Sequence, residues 1–142
     1  MNDLLVAEQP IVERLRSAIP AARQVGGARD LKEIPANTGA TPAIFVIFDG
    51  HAPLVQAGNE QFLDQQWLVV VAVRNVRDAA GGLGERREAG PMLLQVCRAL
   101  LGWSPGVEHD PLRVVATPGA QFIGEVALFP MRFATRVLTK GA

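Results

Sequence analysis

The residues best placed to do chemistry are the glycines of Gly81-Gly82-Leu83-Gly84, which follow a strand-like stretch and precede a helical pattern. Strand, glycine turn and helix together often cradle phosphate, because free backbone N–H groups and the helix dipole both favour an anion there. The details depart from that chemistry. No Gly-Lys-Ser/Thr follows, and Arg87 stands where a GxGxxG run needs its third glycine. The run reads as a surface loop, with a small-ligand or nucleotide site as the alternative.

Other reactive groups form no constellation. Ser17 and Ser104 are the only serines, and neither lies in a G-x-S-x-G turn. Asp49 with His51, and Glu108 with His109 and Asp110, can be drawn as metal sites, but neither set has the ligand spacing that a metal requires. Both histidines lie in loops containing proline and glycine, and they read as surface residues. Cys97 falls on the apolar stripe of a helix and reads as a small core residue. It is the only cysteine, so one chain can form neither a disulfide nor a thiolate cluster. No catalytic residue, cofactor-binding residue or metal ligand is assigned.

The run from Arg74 to Glu88 is charged and glycine-rich. It carries Arg74, Arg77, Arg86 and Arg87 alongside Asp78, Glu85 and Glu88. It is either an ordinary solvated loop and helix entry or a loop that meets a partner. If it meets a partner, these four arginines are the interface candidates.

The elements that position these residues follow from length and pattern. A chain of 142 residues, 49% hydrophobic and 20% charged, suits one globular domain over residues 1–142. Its 14 basic and 14 acidic side chains cancel, which argues against a general nucleic-acid or membrane-surface binder and allows self-association. There is no secretory signal pattern, and no apolar run approaches the ~18 residues of a membrane helix. The expectation is a soluble protein of a reducing cytoplasm.

Ile11, Val12, Leu15 and Ile19 mark a first helix that Pro20 stops, with Pro10 either opening it or kinking a longer one. A polar connection with a short strand-like piece leads to Ala43–Phe48, a strand apolar on both parities and so covered on both faces. A loop to about Asn59 and a second strand within Gln61–Asn75 follow, antiparallel to the first. Leu93, Val96, Cys97, Leu100 and Leu101 mark a second helix, capped by Gly102 with Trp103 folded back. Gly90-Pro91 leaves its start open, either near Glu85 with a kink or at Pro91. Leu112–Thr117 and a long β segment from Gln121 to Thr139 complete the chain. In that segment the apolar parity switches beside Pro130, which predicts a bulge or break near Phe129-Pro130. The fold class is α+β: a single domain with a mostly antiparallel sheet and two main helices packed on it.

In its order of elements the whole chain resembles the small tail terminator (tail completion) proteins of long-tailed bacteriophages, including those of Mu-like prophages. The resemblance rests on Val12–Pro20, Pro42-Ala-Ile-Phe-Val46, Gln66–Val73, Leu93–Trp103 ending in Leu-Leu-Gly-Trp, and Phe129-Pro-Met-Arg-Phe133. These are packing residues. The resemblance implies a structural virion tail protein, assembled in the host bacterial cytoplasm, with no catalysis and no cofactor. It implies a homo-oligomeric ring, commonly of six subunits, that caps the tail tube and docks the head–tail connector. The implied partners are therefore other copies of itself, the tail tube protein and the connector protein, with no specific nucleic acid and no membrane. Another small neck or head–tail joining protein is the alternative within the virion. A ring of one chain needs two complementary patches, and exposed sheet edges can also pair between subunits.

Overall fold

The computed structural model describes residues 2–74 and 80–142. Helix α1 (Glu8–Ala18) buries Ile11, Val12 and Leu15 on one face, as the spacing predicts. Pro10 sits in its first turn, where an N–H has no acceptor within the helix. Ile19, placed before Pro20, has φ −127° and leaves the helical region, although its side chain stays buried. Strand β1 (Gln24–Gly27) and the short helix α2 (Ile34–Asn37) lie in the polar connection that follows.

Three strands of 15 residues build the centre: β2 (Ala43–Ala57), β3 (Glu60–Arg74) and β6 (Val126–Lys140). With β1, β4 (Arg113–Val114) and β5 (Gln121–Ile123) they form a six-stranded sheet in the order β1-β2-β3-β6-β4, with β5 also on β6. Only the β1–β2 pair is parallel, so the sheet is mostly antiparallel and the fold is a single α+β layer arrangement.

The predicted loop from Asp49 to Asn59 is instead the far half of β2. Register shifts between Phe48 and His51 and between Pro53 and Gln56 absorb its awkward residues as bulges. Gly58, at φ +61°, turns the chain directly into β3. Asn59 then holds the end of β6: the Gly141 N–H donates to its carbonyl at 2.6 Å, and its Nδ2 donates to the Gly141 carbonyl at 3.1 Å.

The predicted long segment Gln121–Thr139 is two strands, β5 and β6, joined at Gly124 with φ +60°. No bulge occurs near Pro130: β6 pairs with β3 without a shift from Val126 to Lys140. The parity switch has another cause, which is that both faces of the sheet are covered. Phe129, Met131, Phe133 and Val137 lie on the face that packs under α1 and α3. Val126 and Leu128 lie on the other face, under Leu31, Ile34 and Ile123. Pro130 fits because even-numbered residues of β6 turn their backbone groups away from β3, as Arg132 does toward Val115. Its missing N–H falls in the gap between β4 and β5.

Helix α3 (Leu83–Leu100) runs through Pro91 without ending there, so it begins nearer Glu85 than Pro91. Its inward line is Glu85, Ala89, Met92, Val96, Ala99 and Leu100; Leu93 and Cys97 are half-buried and Leu101 is exposed. The expected stripe was therefore its flank: the buried line in the same turns runs through Met92, Val96, Ala99 and Leu100, one position N-terminal to Leu93, Cys97 and Leu101. Gly102 (φ +78°) ends the helix, and the Trp103 N–H returns to the Leu100 carbonyl at 3.0 Å, as predicted.

The outer edge of β2 is paired with β1 only from Ala43 to Val46. Beyond that, two register shifts and Pro53, which has no N–H to donate, interrupt it and blunt edge-to-edge pairing.

Candidate interaction surface

Arg74 is the exposed last residue of β3, opposite Val126 at the start of β6. Arg86 and Arg87 are exposed in the first turns of α3, and the Arg86 guanidinium donates to the Gly81 carbonyl. Phe122, on β5 opposite Ala127, ties these elements together: its ring lies 3.6 Å from where a Cβ on Gly82 would sit. The structure thus brings Arg74, Arg86 and Arg87 to one end of the sheet, while Arg77 lies outside the described residues. Exposed Glu88 and Glu125 belong to the same end, so this surface is mixed in sign.

The glycine run shows how little room it leaves for an anion. Gly81 and Gly82 have φ of +70° and +71°, conformations that glycine adopts without strain. A Cβ on Gly82 would lie 3.2 Å from Arg86 Nη1 and 3.6 Å from Glu85 Oε2. Side chains of this chain fill the turn, and one of them is a carboxylate that would repel a phosphate. The geometry gives no support to the nucleotide alternative.

The paired acid–histidine motifs also separate. Asp49 pairs with Arg132 at 2.7 Å and Asp110 with Arg136 at 2.9 Å, so both carboxylates are taken up by arginine. Among the described residues no three of His, Cys, Asp and Glu gather as a metal site. His51 lies on β2, not in a loop, and its ring nitrogen is 3.0 Å from Gln65 Nε2. Gln65 is fully buried and central to a network the sequence reading missed. It accepts from Trp67 Nε1 at 2.8 Å and donates to the Leu4 carbonyl at 2.6 Å, fastening the N-terminal segment onto the sheet. Its sequence neighbours Asp64 and Gln66 are polar as well, so no local pattern singles it out.

His109 is buried, contrary to its expected place on the surface, because the loop before β4 lies against β6 and pairs it with Val137. Neither ring nitrogen has a hydrogen-bond partner among the described residues. Burial lowers its pKa below the usual 6.5, and the nearby Glu108 only partly opposes this. The unfolded chain then binds the proton more readily than the folded one. Stability from this site is complete above about pH 6.5 and falls as the pH drops toward the lowered value. Urea melts at pH 7.5 and pH 5 are expected to show that loss, and His109→Gln is expected to reduce the difference between them.

Exposed apolar groups complete the surface. They fall at Leu4, Leu5 and Val6 before α1, at Leu54 and Val55 in the β2 bulge, and at Leu83, Leu94 and Leu101 along α3. Such groups in clusters mark contact sites more often than scattered ones do. These exposed groups offer surfaces that protein partners could cover. A family model described as phage tail terminator protein matches residues 1–141. No curated protein matches the chain. The match spans nearly the whole α+β domain, and the chain belongs to the phage tail terminator protein family, a family of structural proteins of the virion tail.

Proposed function

We propose that this chain assembles into a ring, six copies being the favoured number, that caps the tail tube and ends its polymerisation. The ring then presents a docking surface to the head–tail connector. It acts without catalysis or cofactor, and it assembles in the cytoplasm of the host bacterium, from a phage or a Mu-like prophage. The observation that carries this reading is the family match over residues 1–141. A sheet with a blunted edge and several separate exposed apolar surfaces is compatible with it, because ring subunits must meet neighbours, tube and connector through different patches.

The test is polymerisation of the cognate tail tube protein with and without the chain. Tubes are expected to stop growing when it is added at stoichiometric ends, with ring-shaped density at one end in electron micrographs. Tubes of unchanged length with bare ends would overturn the reading. Binding to the connector without any effect on tubes would favour a head–tail joining protein instead.

A further inference from the structure

The buried amide of Gln65 has three partners, and two of them leave no choice of orientation. Trp67 Nε1 can only donate, so the atom 2.8 Å from it is the amide oxygen. The Leu4 carbonyl can only accept, so the atom 2.6 Å from it is the amide nitrogen. His51 Nε2 lies 3.0 Å from that same nitrogen. One amide hydrogen goes to Leu4 and the other to His51, so the His51 nitrogen must accept. The imidazole is therefore neutral in this arrangement and carries its one proton on Nδ1.

A register shift puts His51 in that place. Phe48 faces Trp67 across the β2–β3 pair, and the shift after Phe48 brings His51 opposite Gln65 on the same face of the sheet. The Phe48 ring lies against the imidazole, 5.1 Å away between centroids. His51 itself is exposed, so it exchanges protons with water. The carboxylates of the surrounding strands are engaged elsewhere: Asp49 of β2 pairs with Arg132, Asp64 of β3 with Arg113, and Glu60 at the hairpin tip with Lys140. On the N-terminal segment, Asp3 accepts from the Leu5 N–H at 2.8 Å, and Glu8 at the start of α1 lies beside Gly27. The loop over β6 carries Glu108, the buried His109 opposite Val137, and Asp110 in its pair with Arg136.

We propose that His51, Gln65 and Trp67 form a proton-sensitive latch, in which the charge on His51 sets how firmly the N-terminal segment is held to the sheet. A second proton on the ring turns Nε2 into a donor aimed at an amide N–H. Gln65 cannot turn over to meet it, because Trp67 and Leu4 fix both ends of the amide. The exposed ring leaves instead, and the amide that holds Leu4 loses one of its three supports. The loosened form binds the proton more readily, so the closed form is favoured at higher pH. The latch is whole where histidine is neutral and loosens as the pH falls through the range, about 8 to 5, in which histidines gain charge. What it governs is the attachment of the exposed apolar residues Leu4, Leu5 and Val6.

Two measurements on the full chain test it. Ring 15N shifts of histidine-labelled protein at pH 7.5 are expected to show His51 as the Nδ1–H tautomer. Hydrogen exchange across residues 2–7, corrected for the intrinsic effect of pH, is expected to quicken about three- to tenfold between pH 7.5 and pH 5.5, the worth of one hydrogen bond. His51→Gln keeps an acceptor at every pH and is expected to exchange at the slower rate at both. His51→Ala has none and is expected to exchange at the faster rate at both. Circular dichroism checks the fold of each, and if one misfolds the other and the tautomer still decide. His109 is present in both variants, so any smaller pH dependence they keep belongs to it. An Nε2–H tautomer at pH 7.5, equal exchange in the wild type at the two pH values, or an undiminished pH dependence in either variant overturns the latch.

Discussion

The double variant Leu128→Ala/Phe133→Ala is expected to lose about 5–10 kcal/mol and to be unfolded at 25 °C. Both residues are fully buried on the same strand, but they face opposite ways. Phe133 lies in the core under α1 and α3, and Leu128 lies in the core under the connection that carries α2. Large-to-small changes at such sites cost about 2–5 kcal/mol for leucine and about 3–5 for phenylalanine, through lost burial and the cavity that remains. Residues on separate faces share few neighbours, so the two losses should nearly add. Their sum is comparable with the whole stability of an ordinary domain, about 5–15 kcal/mol. Urea denaturation of the single variants, at one fixed protein concentration, provides the check. A single variant that melts like the wild type would show that its face is not core, and that the second layer of cover does little.

Trp67→Ala is expected to cost about 3–5 kcal/mol and also to release the N-terminal segment. Trp67 is fully buried in the middle of β3, and its ring meets Phe48 edge-on at 5.4 Å between centroids. Its Nε1–H is what holds the Gln65 amide oxygen, and the amide nitrogen in turn holds the Leu4 carbonyl. Trp67→Phe separates the two roles. It keeps much of the apolar contact but leaves a buried amide oxygen without its donor, at a cost of about 1–3 kcal/mol. Hydrogen exchange is expected to rise across residues 2–7 in both variants, with global stability falling much further in Trp67→Ala. Unchanged exchange over those residues would mean that Gln65 does not govern the segment.

Much of this fold is legible in the sequence, and for local reasons. The stripe Ile11, Val12, Leu15 and Ile19 and the stop at Pro20 are consequences of helix periodicity and proline geometry, which act within a few residues. Apolar residues on both parities of Ala43–Phe48 correctly marked a strand covered on both faces. Gly102 was recognisable because a helix end needs a left-handed residue and a following apolar one. The same logic applied to β6 led to a wrong conclusion. A parity switch beside a proline has two explanations, a bulge or a second covered face, and no local pattern separates them. The fold had to show that α2 and its flanking loop cover that second face.

The candidate site divides along the same line. Residue types and spacing were enough to show that no catalytic motif is complete, and the overall order of packing segments pointed to the tail terminator family that the match over residues 1–141 supports. What spacing cannot encode is which distant groups meet. Asp49 beside His51 in sequence pairs with Arg132, and Asp110 beside His109 pairs with Arg136, 83 and 26 positions away. His109 is buried and Leu101 is exposed, each against its local pattern, because strands and helices far along the chain decide what lies over them. Helix and strand signals come from interactions within a few residues, and the sequence by itself determined those. Burial, ion pairing and the faces left for other copies are set by the tertiary packing of β2, β3 and β6 with α3, and only the folded structure decided them.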